Sequence, residues 1–205
     1  METDAFLTIQ GPSEGFYKEK GSKFYAFAYP VNNEEDIKEF TGHLRKKFLD
    51  ARHHCYAWVL GADHARFRSN DDGEPGHSAG DPILGRIRSG ALTNVLIVVV
   101  RYFGGTKLGI SGLIRAYKTA ASDALDHAIV RKVSVTVPVR IIYGYESTTV
   151  VMKLVDELKL EIKNRVFEHN CIIEAEIKVN LIDMLKKRAG LLIGQGIEVE
   201  FERKL

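Results

Sequence analysis

The chain has 205 residues, of which 45% are hydrophobic and 27% charged, with a formal net charge of +2. That is ordinary globular composition with enough apolar content for a core, and the length suits one large domain or two small ones. The near-neutral balance excludes recognition of nucleic acid by bulk charge, so a basic site has to arise by clustering.

Two cysteines, Cys55 and Cys171, lie far apart without CxxC spacing, which fits a reducing compartment rather than a disulfide framework. The first ten residues, METDAFLTIQ, carry acids and no basic n-region, so they do not read as a signal peptide. The longest apolar run, Val95 to Val100, is far shorter than the roughly 20 residues of a membrane span. The expectation is a soluble cytoplasmic protein with no membrane partner.

In chain order, Phe16 to Val31 reads as a hairpin turning at Gly21-Ser22, with Lys23 to Pro30 as its second strand. Asn33 is a helix N-cap followed by Glu34, Glu35 and Asp36, and Ile37, Phe40, Leu44 and Phe48 give one apolar face to about Leu49. His54 to Leu60 reads as a strand. A polar stretch from Gly61 to Gly80 reads as a long functional loop. Pro82 to Arg88 is a short helix capped by Asp81, and Val95 to Val100 is a fully buried strand. A long helix starts near Gly109 and ends near Val130, with Leu113, Tyr117, Ala120, Ala121, Ala124, Leu125 and Ala128 facing the core.

The second half reads as strand Ser134–Tyr143, helix Glu146–Leu158, strands Leu160–Phe167 and Ile172–Val179, helix Leu181–Leu192 and strand Ile197–Phe201. This β-α-β-β-α-β order is the split βαβ, ferredoxin-like pattern. The predicted architecture is therefore α+β with two domains, residues 1–131 and 132–205.

Three clusters carry the chemistry. They are Arg52-His53-His54-Cys55, Asp71-Asp72-Gly73-Glu74-Pro75, and the glycine-rich turn from Arg101-Tyr102-Phe103-Gly104-Gly105 through Lys107 to Gly109. Glycines between a strand and a helix let backbone amides approach an anion, although no nucleotide-binding motif is matched. Arg52, His54, Arg101, Arg115 and Lys118, joined by Arg66, Arg68, Arg86 and Arg88, would form a basic surface. Tyr102, Phe103 and Tyr117 would offer it stacking faces. The plainer reading is a tight turn, core aromatics, and arginines paired with Asp71, Asp72 or Glu74.

His53 and His54 point to opposite faces of a strand and no HExxH is present, so no metal site is expected. Cys55 beside His54 faces the same objection as a nucleophile, and a buried free thiol is common. Acid–base work by Asp71 and Glu74 needs one of them desolvated. No cofactor is expected.

Arg-Tyr-Phe-Gly-Gly-x-x-Leu-Gly after an apolar strand, with the upstream Arg-His-His-Cys-x-Ala-Trp and Asp-Asp-Gly-Glu-Pro, resembles the signature of the IMPACT/YigZ family. The family commonly shows Gly-Thr-Ala-Gly after the acidic motif, where this chain has His77-Ser78-Ala79-Gly80. The resemblance implies a first domain like domain two of ribosomal protein S5 and a ferredoxin-like second domain that adds a sheet face for RNA or protein. It implies no partner held through an RWD domain. The expected function is an RNA- or ribosome-associated regulator of translation or stress responses, with a protein partner as a further expectation. The competing class is a hydrolase-like enzyme acting on a small phosphorylated or peptide substrate in the first domain's cleft.

Overall fold

The structure, a computed structural model, describes residues 4 to 203. Residues 1–3 and 204–205, which the sequence assigns to the outer ends of the two domains, lie outside it. The chain is mixed α+β and divides into two compact units, Phe6–Val133 and the residues from Ser134 onward together with Asp4 and Ala5.

In the first unit a five-stranded antiparallel sheet is built from β2 (Ser13–Glu19), β3 (Ser22–Pro30), β4 (His53–Leu60), β5 (Arg66–Asn70) and β6 (Val95–Tyr102). Their order is β2-β3-β6-β4-β5. Strand β6 is central because its β-branched run is apolar on both faces. Val95, Ile97 and Val99 pack toward α2 (Gly80–Ser89) and α3 (Gly109–Asp126). Leu96, Val98 and Val100 pack toward α1 (Glu34–Lys47). A short pair, β1 (Ala5–Ile9) with β7 (Val130–Ser134), stands apart from this sheet.

The Asn33 side chain accepts from the Asp36 N–H at 2.8 Å, as expected of the cap. Five local expectations are corrected. The hairpin turns one residue earlier, at Lys20 and Gly21, whose φ angles of 45° and 81° give the left-handed pair that a two-residue loop requires. The Gly61–Gly80 stretch contains β5, an edge strand paired with β4 alone; its charged sequence hides an extended backbone whose side chains face solvent. Asp81 does not cap α2. Asp71, folded back from the preceding loop, accepts from the Ala79 and Gly80 N–H groups at 2.9 and 2.8 Å. Helix α3 stops at Asp126 because Val130 already belongs to β7. The strand expected over Ser134–Tyr143 breaks at Val135, giving β7 to one partner and β8 (Thr136–Tyr143) to others.

The second unit follows the β-α-β-β-α-β order: β8, α4 (Thr148–Glu157), β9 (Glu161–Phe167), β10 (Cys171–Lys178), α5 (Ile182–Gly194) and β11 (Val199–Arg203). The strands lie in the order β11-β8-β10-β9, all antiparallel. Alternation sends Val139, Ile141, Ile173 and Ala175 into a core with Val151, Leu154 and Leu185 of the helices. The opposite face carries Glu161, Glu174, Glu176, Glu200 and Glu202 against Arg140, Lys163 and Lys178. That face is therefore acidic. No described helix is long and apolar enough to cross a membrane.

Candidate functional site

The three sequence clusters converge on one end of the five-stranded sheet. The antiparallel register places the end of β2, the start of β3, the end of β6 and the start of β4 side by side there. Phe24 and His53 both pair with Arg101. The acidic loop leaves β5 at the same end, because Asn70 pairs with Tyr56 near the start of β4.

Beneath this end lies a buried polar network on the α2/α3 face. Glu74 Oε1 accepts from Arg101 Nη1 at 2.6 Å and from the Tyr117 hydroxyl at 2.7 Å. The Glu74 and Arg101 side chains are only 4% and 7% exposed, so each neutralises the other inside the fold. The Cys55 thiol lies 3.3 Å from the Tyr117 oxygen and 3.0 Å from the Asp71 carbonyl. Burial pushes both the Cys55 thiol and the Tyr117 phenol far up, so both keep their protons. A protonated, buried thiol is not a nucleophile.

The loop carboxylates are committed to the backbone and to α1. Asp71 also accepts from the His77 N–H at 2.8 Å. Asp72 accepts from Arg45 and from the His54 N–H, both at 2.7 Å. Burial alone would raise the Asp72 carboxyl, but Arg45 and that N–H outweigh it and hold it below its ordinary range. His53 Nδ1 sits 2.9 Å from the Asp72 carbonyl. Asp72 and Gly73 take φ of 43° and 85°, the left-handed turn that Asp-Gly tolerates.

Strand alternation separates residues that adjacency in sequence had grouped. His54 pairs with Val100 and faces α1, away from Arg101. Burial first, then Arg45, lowers its pKa, and the buried Nε2 has no hydrogen-bond partner. Tyr102 also faces α1. It donates to Asp50 at 2.6 Å, which pushes its phenol up to about 12. Tyr117 is fully buried, leaving Phe103, 56% exposed, as the outward ring of the three.

The glycine turn itself is anchored. A Cβ on Gly104 would fall on the Gly21 carbonyl carbon, so the two turns pack backbone to backbone. The Gly104 N–H also donates to Ser22 Oγ at 3.1 Å. Gly105 and Gly109 take φ of 87° and 71°. Arg115 is bonded to Glu19. Arg52, Lys107 and Lys118 are exposed.

Arg66 and Arg88 do not join this group. Arg66 pairs with Leu60 at the far end of the sheet and bonds Glu34, and Arg88 stacks on Phe67 at 4.0 Å. Sequence reasoning missed Lys18, Lys20 and Lys23, all exposed around the hairpin turn. The run Lys-Glu-Lys-Gly-Ser-Lys was their signal, but only the strand order brings that turn against Gly104. Lys18 and Lys23 stand directly opposite each other, a like-charge pair that destabilises a hairpin. Among the described residues, Lys18, Lys20, Lys23, Lys107 and Lys118 form no salt bridge. Among the same residues no group of three or more His, Cys, Asp or Glu is arranged to hold a metal.

The family model for the Impact N-terminal domain matches residues 20–125, a span that takes in the acidic loop, the glycine turn and all but Lys18 of these lysines. The chain belongs to the IMPACT family. An IMPACT family member of Haemophilus influenzae is 31% identical over 188 residues, covering 88% of this chain and 91% of that protein. The IMPACT family member YvyE of Bacillus subtilis is 37% identical over 123 residues, covering 60% of this chain, and the match spans only 57% of YvyE. A solved crystal structure of a hypothetical protein superposes with a TM-score of 0.75 at 25% identity, covering 98% of each chain. IMPACT membership thus rests on the first unit's motifs and extends, in the Haemophilus relative, through most of the chain.

Proposed function

We propose that this IMPACT-family protein binds RNA through the end of its five-stranded sheet and acts as an RNA- or ribosome-associated regulator of translation. One observation carries the reading. Glu74 and Asp71 are turned inward and Asp72, Asp50 and Glu19 are held by Arg45, Tyr102 and Arg115, while the exposed Lys18, Lys20, Lys23 and Lys107 form no salt bridge among the described residues. The Lys18–Lys23 opposition makes sense where a phosphate lies between them. Arg101 serves this surface from below, as a buried support rather than a phosphate ligand.

The same buried network argues against the hydrolase-like reading, since Glu74 is held by both Arg101 and Tyr117 and Cys55 keeps its proton. The finer fold assignments belong to this proposal. The strand order β11-β8-β10-β9 supports a ferredoxin-like second domain, and family membership supports an S5 domain 2-like first domain. The contact division after Val133 falls two residues beyond the proposed boundary between domains at 1–131 and 132–205, while Asp4 and Ala5 group with the second unit.

The test is a titration of the purified chain with labelled structured RNA at low and high salt, beside a Lys18→Ser/Lys20→Ser/Lys23→Ser variant. Binding that weakens steeply with salt and is largely lost in the variant supports the reading. Binding that ignores salt or the lysines removes it.

A further inference from the structure

Phe103 is exposed, yet it is not loosely held. Its backbone continues directly into Gly104, which is jammed against Gly21 and bonded to Ser22. The guanidinium carbon of Arg101 lies 5.7 Å from the Phe103 ring centre and 5.5 Å from that of Phe24. Phe24 in turn meets Tyr117 edge-on at 5.1 Å. Glu74 fixes Arg101 from the side, and Arg101 is almost fully buried. A connected series of flat groups thus runs from Tyr117 in the core through Phe24 and Arg101, and ends at the surface on one bare ring.

A single exposed phenylalanine is common and needs no explanation of its own; what sets Phe103 apart is the buried cation behind it and the lysines around it. Here a desolvated cation, itself backed by the two buried rings of Phe24 and Tyr117, lies against the ring, so little side-chain entropy is left to lose on binding. The surroundings select what stacks next. Lys23 pairs with Tyr102, one residue from Phe103, and Lys20 adjoins the glycine that Gly104 touches. Lys107 follows four residues on. An apolar partner surface would leave these lysines uncompensated. A nucleobase with phosphates on either side satisfies both the ring and the charges.

We infer that Phe103 is a base-stacking platform and that the RNA bound here is single-stranded, with one unpaired base laid on the Phe103 ring and flanking phosphates held by Lys20, Lys23 and Lys107. This rests on the RNA-binding reading and sharpens it, because a paired base in an A-form duplex cannot present its face to a side chain.

The experiment uses the full chain, a short single-stranded RNA carrying one fluorescent purine analogue, and the matching duplex, each titrated across a range of salt. Three variants accompany it: Phe103→Leu, Phe103→Tyr and Lys20→Ser/Lys23→Ser. Thermal melts confirm that each is folded; if Phe103→Leu does not fold, the wild type's quench and its choice between single strand and duplex still decide. Stacking quenches the analogue. The wild type and Phe103→Tyr are expected to quench it and to prefer the single strand. Phe103→Leu is expected to lose the quench and about 5- to 150-fold in affinity, with the salt dependence unchanged. The lysine variant is expected to flatten the salt dependence. Salt-dependent binding with an equal quench in Phe103→Leu, or a duplex bound as tightly as the single strand, overturns the platform and leaves the RNA reading standing. No salt-dependent binding at all overturns both.

Discussion

The two larger sheets of this chain handle their charges in opposite ways. At the Lys18–Lys23 end of the first sheet, Glu74 and Asp71 are drawn inward onto Arg101 and backbone N–H groups, Asp72 and Glu19 are held by the more exposed Arg45 and Arg115, and lysines are left facing water. On the open face of the second sheet, charges of both signs stay at the surface and pair locally, as in Arg140–Glu202 at 3.6 Å and Lys163–Glu161 at 2.6 Å, with glutamates in excess. Charge that is buried and paired shapes a surface, whereas charge that is paired in the open merely neutralises it. The first arrangement attracts a polyanion and the second repels one, so the sheet face that the ferredoxin-like pattern would offer to RNA is the wrong sign for it.

Removing one partner of an ion pair in each region separates the two behaviours most sharply. Glu74→Ala strands the Arg101 guanidinium in the core and is expected to cost about 3–5 kcal/mol in urea unfolding. Glu202→Ala removes an exposed partner and is expected to cost about 0–1 kcal/mol. Similar costs for both would erase the distinction.

Neutralising charge on either surface comes next. Serine at Lys18, Lys20 and Lys23 is expected to weaken single-stranded RNA binding at low salt by roughly tenfold or more, and to lower the salt slope by about 2. Glutamine at Glu176 and Glu200 is expected to leave affinity within about twofold, because neither residue belongs to the proposed binding surface.

A smaller contrast lies in the glycines. Gly104→Ala drives a methyl into the Gly21 backbone and is expected to destabilise by about 1–3 kcal/mol. Gly190→Ala, in helix α5 with open space around it, is expected to stabilise by about 0.4–1 kcal/mol. Thermal melts of the two variants read this directly.

The smallest effect is the pH dependence of the first unit. His54 is buried and its folded pKa is lowered, while the unfolded chain takes up a proton near the ordinary value of about 6.5. The unfolded state then binds more protons, so stability falls as pH drops below about 6.5 toward 5. His54→Leu is expected to flatten that part of the stability curve, measured as urea midpoints against pH.

How much of this was legible in the sequence depends on the range of the interaction. The Asn33 cap, the β6 core strand and the α3 core face are written in local periodicity, and all stand in the structure. The β1–β7 pair was invisible because its strands lie about 120 residues apart in sequence and neither carries a turn signal. Strand β5 reads as loop in the sequence because an edge strand with solvent-facing arginines lacks apolar alternation. The site was legible as a set of motifs but not as a geometry. Arg101, Tyr102, His54 and Tyr117 look interchangeable along the chain, and only strand parity and the Glu74 contact show that Arg101 and Tyr117 are buried on one face of the sheet while His54 and Tyr102 lie on the other. The hairpin lysines were overlooked for the same reason, since nothing local to Lys18–Lys23 announces Gly104 as a neighbour.

The central claim is that RNA meets the first sheet's end and not the second sheet's face. Backbone amide chemical shifts of the full chain, followed as single-stranded RNA is added, test it most directly. RNA binding at the first sheet's end is expected to concentrate the shifts at Lys18–Lys23, Arg52–His53 and Phe103–Gly109, with residues of β8 to β11 unmoved. Shifts centred on Arg140, Glu174 and Glu200, with the glycine turn silent, would contradict it.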